Sequence, residues 1–576
     1  MDAHQKLTRA FFITFALLMG IGAHYFQHNQ GGSGLELAQN NVVWIFFSIL
    51  IGLGLWKITE QKKIIYSHFT LIFLAAVILF IIPVFYPNNA LASQSYTRLL
   101  GLTAGFLFYV SLQQFQFSQQ QLQRLLLLIV LAGFIQSCYS LMQDYLLTPG
   151  NIFGYDVGYG RPYGIFQQPN VLASFMATTM ILTGYLLQRI NNRKLQFLLF
   201  ISILLNAWVL TIAMSRTGYL GALLALFLFI PFAWQNNKKK LAIFIIAISL
   251  GMGCAVLSSY IDKGNVLAAR NIDNMKEGGQ RINIYEHSWQ MIKEKPLMGY
   301  GYGGFQKNYL VTQAERVKKH ELPASSEGIL SHPHNDTLYW AIEGGVVPIL
   351  AILLLAISFI RLLRAFKLSK ALAVLALVTP IIIHTQTEYP LYHSSLHWLV
   401  LLFLVFFVDN QTKAINNIEL RLTFALRVFA LLIPLITALF MVTNLHTIYK
   451  ITKFERSKQP DINLLLDIVN PLVFEDRFTF HLNYFRLSMA IQRHKPEEIE
   501  KIINETEAVI KEKPFPYFYA ILYLAYANNN QQEKAEQTLN YARYLYPRDK
   551  QLANIDKKPE IHKEQSGIPA TVIQQQ

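Results

Sequence analysis

The chain has 576 residues, of which 53% are hydrophobic and only 15% charged, and its formal net charge is +15. This apolar fraction excludes an ordinary soluble protein and is typical of a chain that lies partly in lipid. The positive charge does not indicate a nucleic-acid partner, because most Lys and Arg residues lie in short loops between apolar runs. Both cysteines lie inside apolar runs, so neither a disulfide framework nor a thiolate metal site is predicted.

Apolar runs long enough to cross a membrane recur along the first three quarters of the chain. A spanning helix needs about 20 apolar residues. We predict an all-α, polytopic membrane protein with about thirteen spans, at residues 10–26, 42–58, 68–86, 97–114, 122–146, 170–188, 196–214, 217–235, 241–260, 337–360, 371–387, 396–408 and 422–445. The first run follows the basic stretch MDAHQKLTR and lacks a convincing cleavage signature, so we expect it to be retained as a span.

The distribution of Lys and Arg predicts the orientation of the spans. With a cytoplasmic amino terminus, the basic loops all fall inside, as the positive-inside rule requires; they are residues 57–63, 188–194, 235–240, 361–370 and 413–421. The segments that then lie on the far side are loop 147–168, the turn at Ser215 and Arg216, segment 261–336, turn 388–395 and the chain after about residue 446. In a Gram-negative cell, this orientation places them in the periplasm.

The composition becomes charged and amphipathic after residue 446. We predict a transmembrane domain at 1–445 with a large periplasmic loop at 261–336, a periplasmic helical domain at 446–556 and a flexible tail at 557–576. The piece YFYAILYLAYANNNQQEKAEQTLNYARYLYP resembles one tetratricopeptide-type hairpin. An ordinary helical bundle packed on the membrane part is an equal alternative.

Three arginines on the far side do not follow the positive-inside pattern: Arg161, Arg216 and Arg281. Any one of them alone is explained by snorkelling or by a structural carboxylate partner. A cluster of three guanidinium groups beside the outer leaflet instead suits a lipid diphosphate, because the guanidinium fork pairs with two phosphate oxygens at once.

The stretch SHPHNDTLYW places His332 and His334 directly before an apolar run. Two residues apart in an extended chain, they cannot form the one-turn pair of a zinc protease, so a metal site is disfavoured. A neutral imidazole suits removal of a proton from a hydroxyl nucleophile, and Asn335 or Asp336 could orient the ring. Alternatively, one histidine only marks the start of the next helix, although Asn335 and Asp336 are better helix caps.

A second polar cluster, HTQTEYPLYHSSLHW, holds Glu388, Tyr392, His393 and His397 between two short spans. Polar residues this dense at a membrane edge usually line a cavity. The carboxylate of Glu388 could pair with an arginine, orient a histidine or bind an acceptor, and the residues alone leave all three open.

These motifs resemble a known family. SRTGYLGALLALF, RINIYEHSWQMIKEKPLMGYGYGGF and SHPHNDTLYWAIEGGVVPIL resemble the O-antigen ligase and polymerase superfamily. GRPYGIFQQPNVLASFMAT is similar to the short signature of its protein-glycosylating branch, the bacterial O-oligosaccharyltransferases that modify pilins. One departure is that Gln167 stands where the signature has a small residue. The resemblance covers roughly residues 150–400, and the carboxyl-terminal extension also fits that branch.

The resemblance implies a GT-C-like ligase core in the bacterial inner membrane. It implies transfer of a preassembled oligosaccharide from undecaprenyl diphosphate to a Ser or Thr hydroxyl of an acceptor protein such as a pilin, without metal or cofactor. His334 matches the essential histidine, and Arg216 and Arg281 match arginines that hold the diphosphate. The further candidates for diphosphate or substrate binding are Arg161, His332, Asn335, Glu388 and Tyr392. A single displacement would invert the anomeric configuration.

Two rival functions remain open from the sequence. One keeps the chemistry and changes the acceptor, as in an O-antigen ligase that uses lipid A core or an O-antigen polymerase. The other is a transporter or flippase for an anionic lipid, in which the arginines bind the headgroup and no bond is made. In that case His334→Ala would leave function largely intact.

Overall fold

A computed structural model describes residues 3–87, 89–263, 281–322, 330–412, 415–421 and 423–557. The long helices of the first half are α1 (Ala3–Gly20), α2 (Ala38–Gln61), α3 (His68–Ile81), α4 (Tyr96–Gln114), α5 (Gln119–Tyr145), α6 (Pro169–Arg189), α7 (Arg193–Ile212), α8 (Arg216–Asn236) and α9 (Lys238–Lys263). Those that follow are α10 (281–294), α11 (Phe305–Lys318), α12 (Asp336–Gly344), α13 (Val346–Leu363), α14 (Leu368–Thr385), α15 (Pro390–His393), α16 (Ser395–Asn410) and α17 (Thr423–Arg456).

The prediction of an all-α polytopic membrane protein is confirmed, but the span count is corrected. Within the described residues, 11 helices are long and apolar enough to cross a membrane, against about thirteen predicted. The two that fall short are α4 and α16. The 19 residues of α4 include Arg98 and end in polar Gln113 and Gln114. The 16 residues of α16 measure about 24 Å, less than the roughly 30 Å of a hydrocarbon core.

Helix α6 lies at the centre of the bundle and packs against α5, α7, α8 and α14. Its apolar window is 94% buried although its mean hydropathy is only 1.4. Small polar residues reconcile these two facts, because the hydroxyls of Thr178, Thr179 and Thr183 donate to carbonyls one turn back. These threonines therefore pack in the interior without unsatisfied hydrogen bonds. Small residues also let neighbouring helices approach closely, as Gly218 of α8 does at Ala173 of α6.

One feature departs from the all-α prediction. Strand β1 (Lys63–Ser67) pairs antiparallel with β2 (Ile415–Glu419), with Lys63 opposite Glu419. Lys62 in the left-handed conformation (φ 52°) ends α2 and turns the chain into β1. The ribbon joins two loops that are 350 residues apart in the chain, so local patterns could not predict the pairing.

Between α9 and α13, residues 281–322 and 330–345 carry three helices outside the candidate spans. The glycine and tyrosine turn after α10 packs on the end of α12: Tyr300 N donates to Ile342 O and Gly301 N to Glu343 O. Gly299 has φ +67°, and a Cβ there would lie 2.5 Å from Ile342 O. The turn therefore requires glycine at this position and fixes α12 in place.

The carboxyl-terminal region is helical, as predicted. Its helices are α18 (Asn463–Leu466), α19 (Glu475–Gln492), α20 (Pro496–Glu512), α21 (Pro516–Asn528), α22 (Gln532–Leu545) and α23 (Lys550–Asn554). Their shared core includes Leu310 and Ala314 of α11, so the region packs on the segment that precedes α12. Helix α17 continues without a break past residue 445, where the sequence placed a domain boundary. That boundary and the tetratricopeptide likeness stay predictions, and the predicted tail beyond residue 557 lies outside the described residues.

Candidate functional site

The start of α6 builds one wall of the site. Gln168 is the N-cap of α6, and its side-chain oxygen accepts from the backbone N–H groups of Asn170 and Val171, with Pro169 at the first helical position. This cap leaves the Gln168 amide nitrogen free to donate, and it points to Glu388. The same few residues therefore begin the helix and supply a side chain to the site.

Glu388 is the centre of the site. Its Oε1 accepts from Arg281 at 2.7 Å and from Asn170 at 2.5 Å. Its Oε2 accepts from Gln168 at 2.9 Å and faces His384 Nε2 at 3.3 Å. The residue is only 5% exposed. One buried carboxylate thus joins the starts of α6 and α10 to the end of α14.

A chain of buried hydrogen bonds leads away from Glu388 into the bundle. His384 Nδ1 lies 2.7 Å from Ser174 Oγ, which lies 3.0 Å from His397 Nε2. His397 Nδ1 in turn lies 2.9 Å from Ser394 Oγ. Each of these side chains has a hydrogen-bond partner within the chain, and His384 Nε2–H donates to Glu388 Oε2. The chain therefore fixes the orientation of Glu388 from behind.

The start of α12 carries the predicted histidine and asparagine motif. Asn335 is the N-cap, as expected, because its side chain accepts from Leu338 N. Asn335 Nδ2 also donates to Gln386 O, and Thr337 Oγ1 to the Gln386 side chain. The helix start is thereby tied to the turn that carries Glu388.

The two histidines of this motif have different surroundings. His332 is 4% exposed, and its Nε2 lies 3.0 Å from Asp336 Oδ1. Its ring packs on Tyr339, Tyr389 and Tyr392, with centroids 4.7, 4.5 and 6.0 Å away. The structure thus places His332, expected among the substrate-binding residues, behind the site with its ring enclosed by protein.

His334 is half-buried and turns toward the site. It adopts φ +53°, a conformation that is uncommon for a residue other than glycine, and Tyr285 Oη donates to its carbonyl oxygen. Its Nδ1 is buried without a hydrogen-bond partner among the described residues. The residue as a whole is half-buried, and its unpartnered nitrogen makes the imidazole a candidate for contact with a substrate.

Burial and neighbouring charges shift the pKa values of the carboxylates and histidines at the site. Burial opposes ionisation of Glu388, but the hydrogen bond and charge interaction with His384, together with the charge of Arg281, lower its pKa to about 2. Burial lowers the pKa of His334; the charge of Glu388 opposes this effect and that of Arg281 adds to it. Burial likewise lowers the pKa of His332 and raises that of Asp336. At neutral pH the site therefore contains an ionised Glu388 and a neutral His334.

Arg161 and Arg216 lie together at the start of α8. Arg161 Nε donates to Ala213 O at 2.9 Å and its Nη2 to Met214 O at 3.3 Å. Ser215 then caps α8 by accepting from Gly218 N. Arg161 thus supports the turn that presents Arg216.

Arg216 itself is exposed, and its side chain makes no ion pair or hydrogen bond within the described residues. Two residues further along α8, Gly218 packs on Ala173 of α6, one turn from Asn170. Arg216 therefore lies at the same end of the bundle as Glu388, which we call the site end, where α6 and α8 begin and α14 ends. Arg281 is 31% exposed at its side chain. Arg216 and Arg281 are thus both at least partly accessible at the site end.

Sequence reasoning missed several residues of this arrangement. Gln168 and Asn170 were not predicted as partners of Glu388, nor was Arg98 as a partner of Glu343. The Arg98 Nη2 atom lies 2.5 Å from Glu343 Oε2, and the pair is buried. The guanidinium carbon lies 4.1 Å from the centre of the Trp340 ring. This ion pair holds α12, and therefore His334, against α4.

Comparison with known proteins links three regions of the chain to described families. Residues 201–353 match the O-antigen ligase family, and residues 372–560 match the C-terminal region of virulence factor membrane-bound polymerases. Residues 162–187 match the protein glycosylation ligases. The three regions contribute His334, Glu388 and Gln168 respectively, so the site draws on all of them.

Two characterised relatives come from Acinetobacter baylyi. The chain is 23% identical over 411 residues to a general O-oligosaccharyltransferase, an alignment that covers 69% of this chain and 68% of that protein. It is 23% identical over 248 residues to a ComP-specific O-oligosaccharyltransferase, covering 42% of this chain and 43% of that protein. The protein belongs to the O-antigen ligase family as a bacterial O-oligosaccharyltransferase, a membrane glycosyltransferase that transfers an oligosaccharide to protein.

Proposed function

We propose that this enzyme transfers a preassembled oligosaccharide from undecaprenyl diphosphate to a serine or threonine hydroxyl of a pilin-type acceptor protein. The reaction takes place at the periplasmic face of the inner membrane. The observation that supports this most is the convergence of Arg281, ionised Glu388 and neutral His334 at the end of the bundle where Arg216 begins α8. The orientation rests on the distribution of basic loops, which requires α4 and α16 to cross the membrane although they are less apolar or shorter than the other spans. The choice of a protein as the acceptor rests on the protein glycosylation ligase match at 162–187.

Arg216 and Arg281 hold the diphosphate in this proposal. The diphosphate leaves with the electron pair of the bond that breaks, so negative charge grows on it in the transition state. Donors aimed at such charge lower the barrier by several kcal/mol. Arg281 is held by Glu388 through one nitrogen, which fixes its guanidinium plane and leaves other N–H groups for phosphate oxygens.

His334 takes the proton in this proposal. The acceptor hydroxyl oxygen forms a bond to the anomeric carbon as the bond to the diphosphate oxygen breaks, and the hydroxyl proton passes to the neutral imidazole. A positioned base of this kind contributes about 10²- to 10⁴-fold. Because one displacement reverses the anomeric centre, the product carries the inverted configuration.

The purified enzyme in lipid nanodiscs, undecaprenyl-diphosphate-linked oligosaccharide and a candidate pilin test the proposal directly. Intact-mass spectrometry should show the pilin gain the mass of one oligosaccharide, and His334→Ala should abolish this gain. NMR of the released glycopeptide should show inversion, and a retained configuration would overturn the single displacement. Glycan elongation on the lipid, transfer to lipid A core, or translocation of the lipid without transfer would each support a rival function instead.

A further inference from the structure

A cavity adjoins the site but shares none of its charged groups. It lies between the chain after α1, the loop after α5 and the end of α17, and holds about 340 Å³ of space, part of it open to solvent. Because this space includes open solvent, the cavity is a depression at the surface that can take part of a ligand rather than enclose one.

Aromatic rings form one wall of this cavity. Phe26, Tyr139, Phe153 and Tyr163 line it. Phe153 meets Phe26 and Tyr139 edge to face, with ring centroids 5.7 and 5.6 Å apart. Aromatic faces carry negative potential, and the C–H groups on the face of a pyranose are weakly positive. Such a wall is therefore complementary to the flat side of a sugar.

Polar groups form the opposite edge. Arg456 donates to His28 Nδ1 at 3.2 Å and to Asn29 O at 3.2 Å. Because arginine can only donate, His28 Nδ1 accepts, and the proton of the ring lies on Nε2 as a further donor. The amide of Gln167 supplies both a donor and an acceptor. Sugar hydroxyls both donate and accept, so this edge can bind them.

Two consecutive residues line the cavity and contact the candidate site, respectively. Gln167 lines the cavity, and Gln168 donates to Glu388. Gln167 has φ +57°, in the left-handed region, so the chain turns sharply between the two side chains. His393 Nε2 lies 2.8 Å from Phe166 O and holds the turn from behind. Successive Cα atoms are about 3.8 Å apart, so the residue that lines the cavity directly precedes a residue that contacts Glu388.

We infer that this cavity is a subsite for a sugar of the donor oligosaccharide beyond the sugar whose anomeric carbon reacts. The inference rests on the proposed function, because it requires a lipid-linked glycan as the donor. If the inference is correct, the enzyme prefers donors with more than one sugar because the cavity binds the additional sugar. Stacking against the aromatic wall and hydrogen bonds to Arg456, His28 and Gln167 would supply that preference.

The test compares two donors with one reducing end. Lipid-linked glycan is extracted from the host cells and used either intact or trimmed by exoglycosidases to its reducing-end sugar. Transfer to a fixed excess of acceptor gives kcat and KM for each donor. The variants are Phe153→Ala and Arg456→Gln, and Phe85→Ala is the matched control because Phe85 is 81% exposed and does not line the cavity.

We expect the wild-type enzyme to prefer the intact donor, and each cavity variant to lose about five- to tenfold in kcat/KM for it, mainly through KM. Transfer of the trimmed donor should change less than about twofold, the scatter left by substitutions outside a binding site. Equal losses for both donors, no loss in either variant, or a wild-type enzyme indifferent to trimming would overturn the subsite. If the wild-type enzyme transfers neither donor, the proposed function fails instead. If Phe153→Ala does not fold, Arg456→Gln, at the exposed rim of the cavity, is compared with the wild-type enzyme on the same two donors.

Discussion

Replacing Glu388 by glutamine removes one charge and almost no volume from the centre of the site. The carboxylate accepts four hydrogen bonds: from Arg281 and Asn170 on Oε1, and from Gln168 and His384 on Oε2. A glutamine side chain has one oxygen and one NH2 group. Whichever way the amide turns, its NH2 group faces two groups that also donate.

The size of the effect follows from this count. A hydrogen bond to a charged group contributes about 1.5–3 kcal/mol, and two are lost, which gives about 3–6 kcal/mol. Arg281 is 31% exposed, so water replaces part of its interaction, and we take the lower end. A loss of about 3 kcal/mol in the positioning of Arg281 corresponds to roughly 10²-fold in kcat/KM.

The assay is glycan transfer by the purified variant, followed by mass spectrometry, with thermal unfolding in parallel. Glu388→Asp keeps the charge and should retain more activity than Glu388→Gln. Glu60→Gln is the matched control, because Glu60 pairs with Arg427 in a partly exposed ion pair, a type that contributes only about 0–1 kcal/mol. Transfer by Glu388→Gln within threefold of wild type, at an unchanged melting temperature, would refute the central role given to this carboxylate.

Three further predictions follow from the same geometry. Because the pKa of His334 is lowered below 6.5, its imidazole is neutral above that pH; we expect kcat/KM to be level there and to fall only at lower pH, and a fall centred above pH 6.5 would contradict this. Arg216→Lys keeps the charge but loses the forked contact, so KM for the lipid donor should rise about tenfold, whereas Arg364→Lys, an exposed residue after α13, should behave as wild type. Arg98→Met leaves buried Glu343 unpaired and should cost about 3–5 kcal/mol of stability; the double variant with Glu343→Gln should regain much of it, and a double variant no more stable than Arg98→Met would argue against the pair.

The spans were predictable because lipid imposes a strong local rule: about 20 apolar residues in one run. The same rule overcounted at α4, whose run contains Arg98 and ends in two glutamines, and at α16, which is shielded by other helices. The apolar run of α16 can be short because residues such as Leu399 and Phe406 are fully buried, so the helix need not meet lipid along its length. Its burial comes from packing among helices distant in the chain, which local hydropathy does not contain.

The site was only partly predictable, for a related reason. The separation of His384 and Glu388 by four residues suits one helical turn, and Glu388 N does donate to His384 O just past the end of α14. Gln168 before Pro169 has the pattern of a helix start. The contacts that define the site do not follow from such local patterns, because Glu388 contacts Arg281 and Asn170, which lie 107 and 218 positions away in the chain. Arg98 was missed because it lies inside the predicted span 97–114. The apolar residues around this single charge do not indicate that it has a buried carboxylate partner.

The three roles that the sequence left open for Glu388 are not equally compatible with its surroundings. A carboxylate has about four lone-pair sites, so one that already accepts four hydrogen bonds has none left to bind an acceptor hydroxyl, and a pKa of about 2 also makes it a poor base. Pairing with Arg281 accounts for its position without any such cost. His334, neutral and with Nδ1 unbonded within the described residues, meets the needs of the base better. If Glu388 positions Arg281 and His334 removes the proton, the two substitutions should have different kinetic effects. Loss of Glu388 should impair donor binding and stability, whereas loss of His334 should lower kcat while donor binding persists.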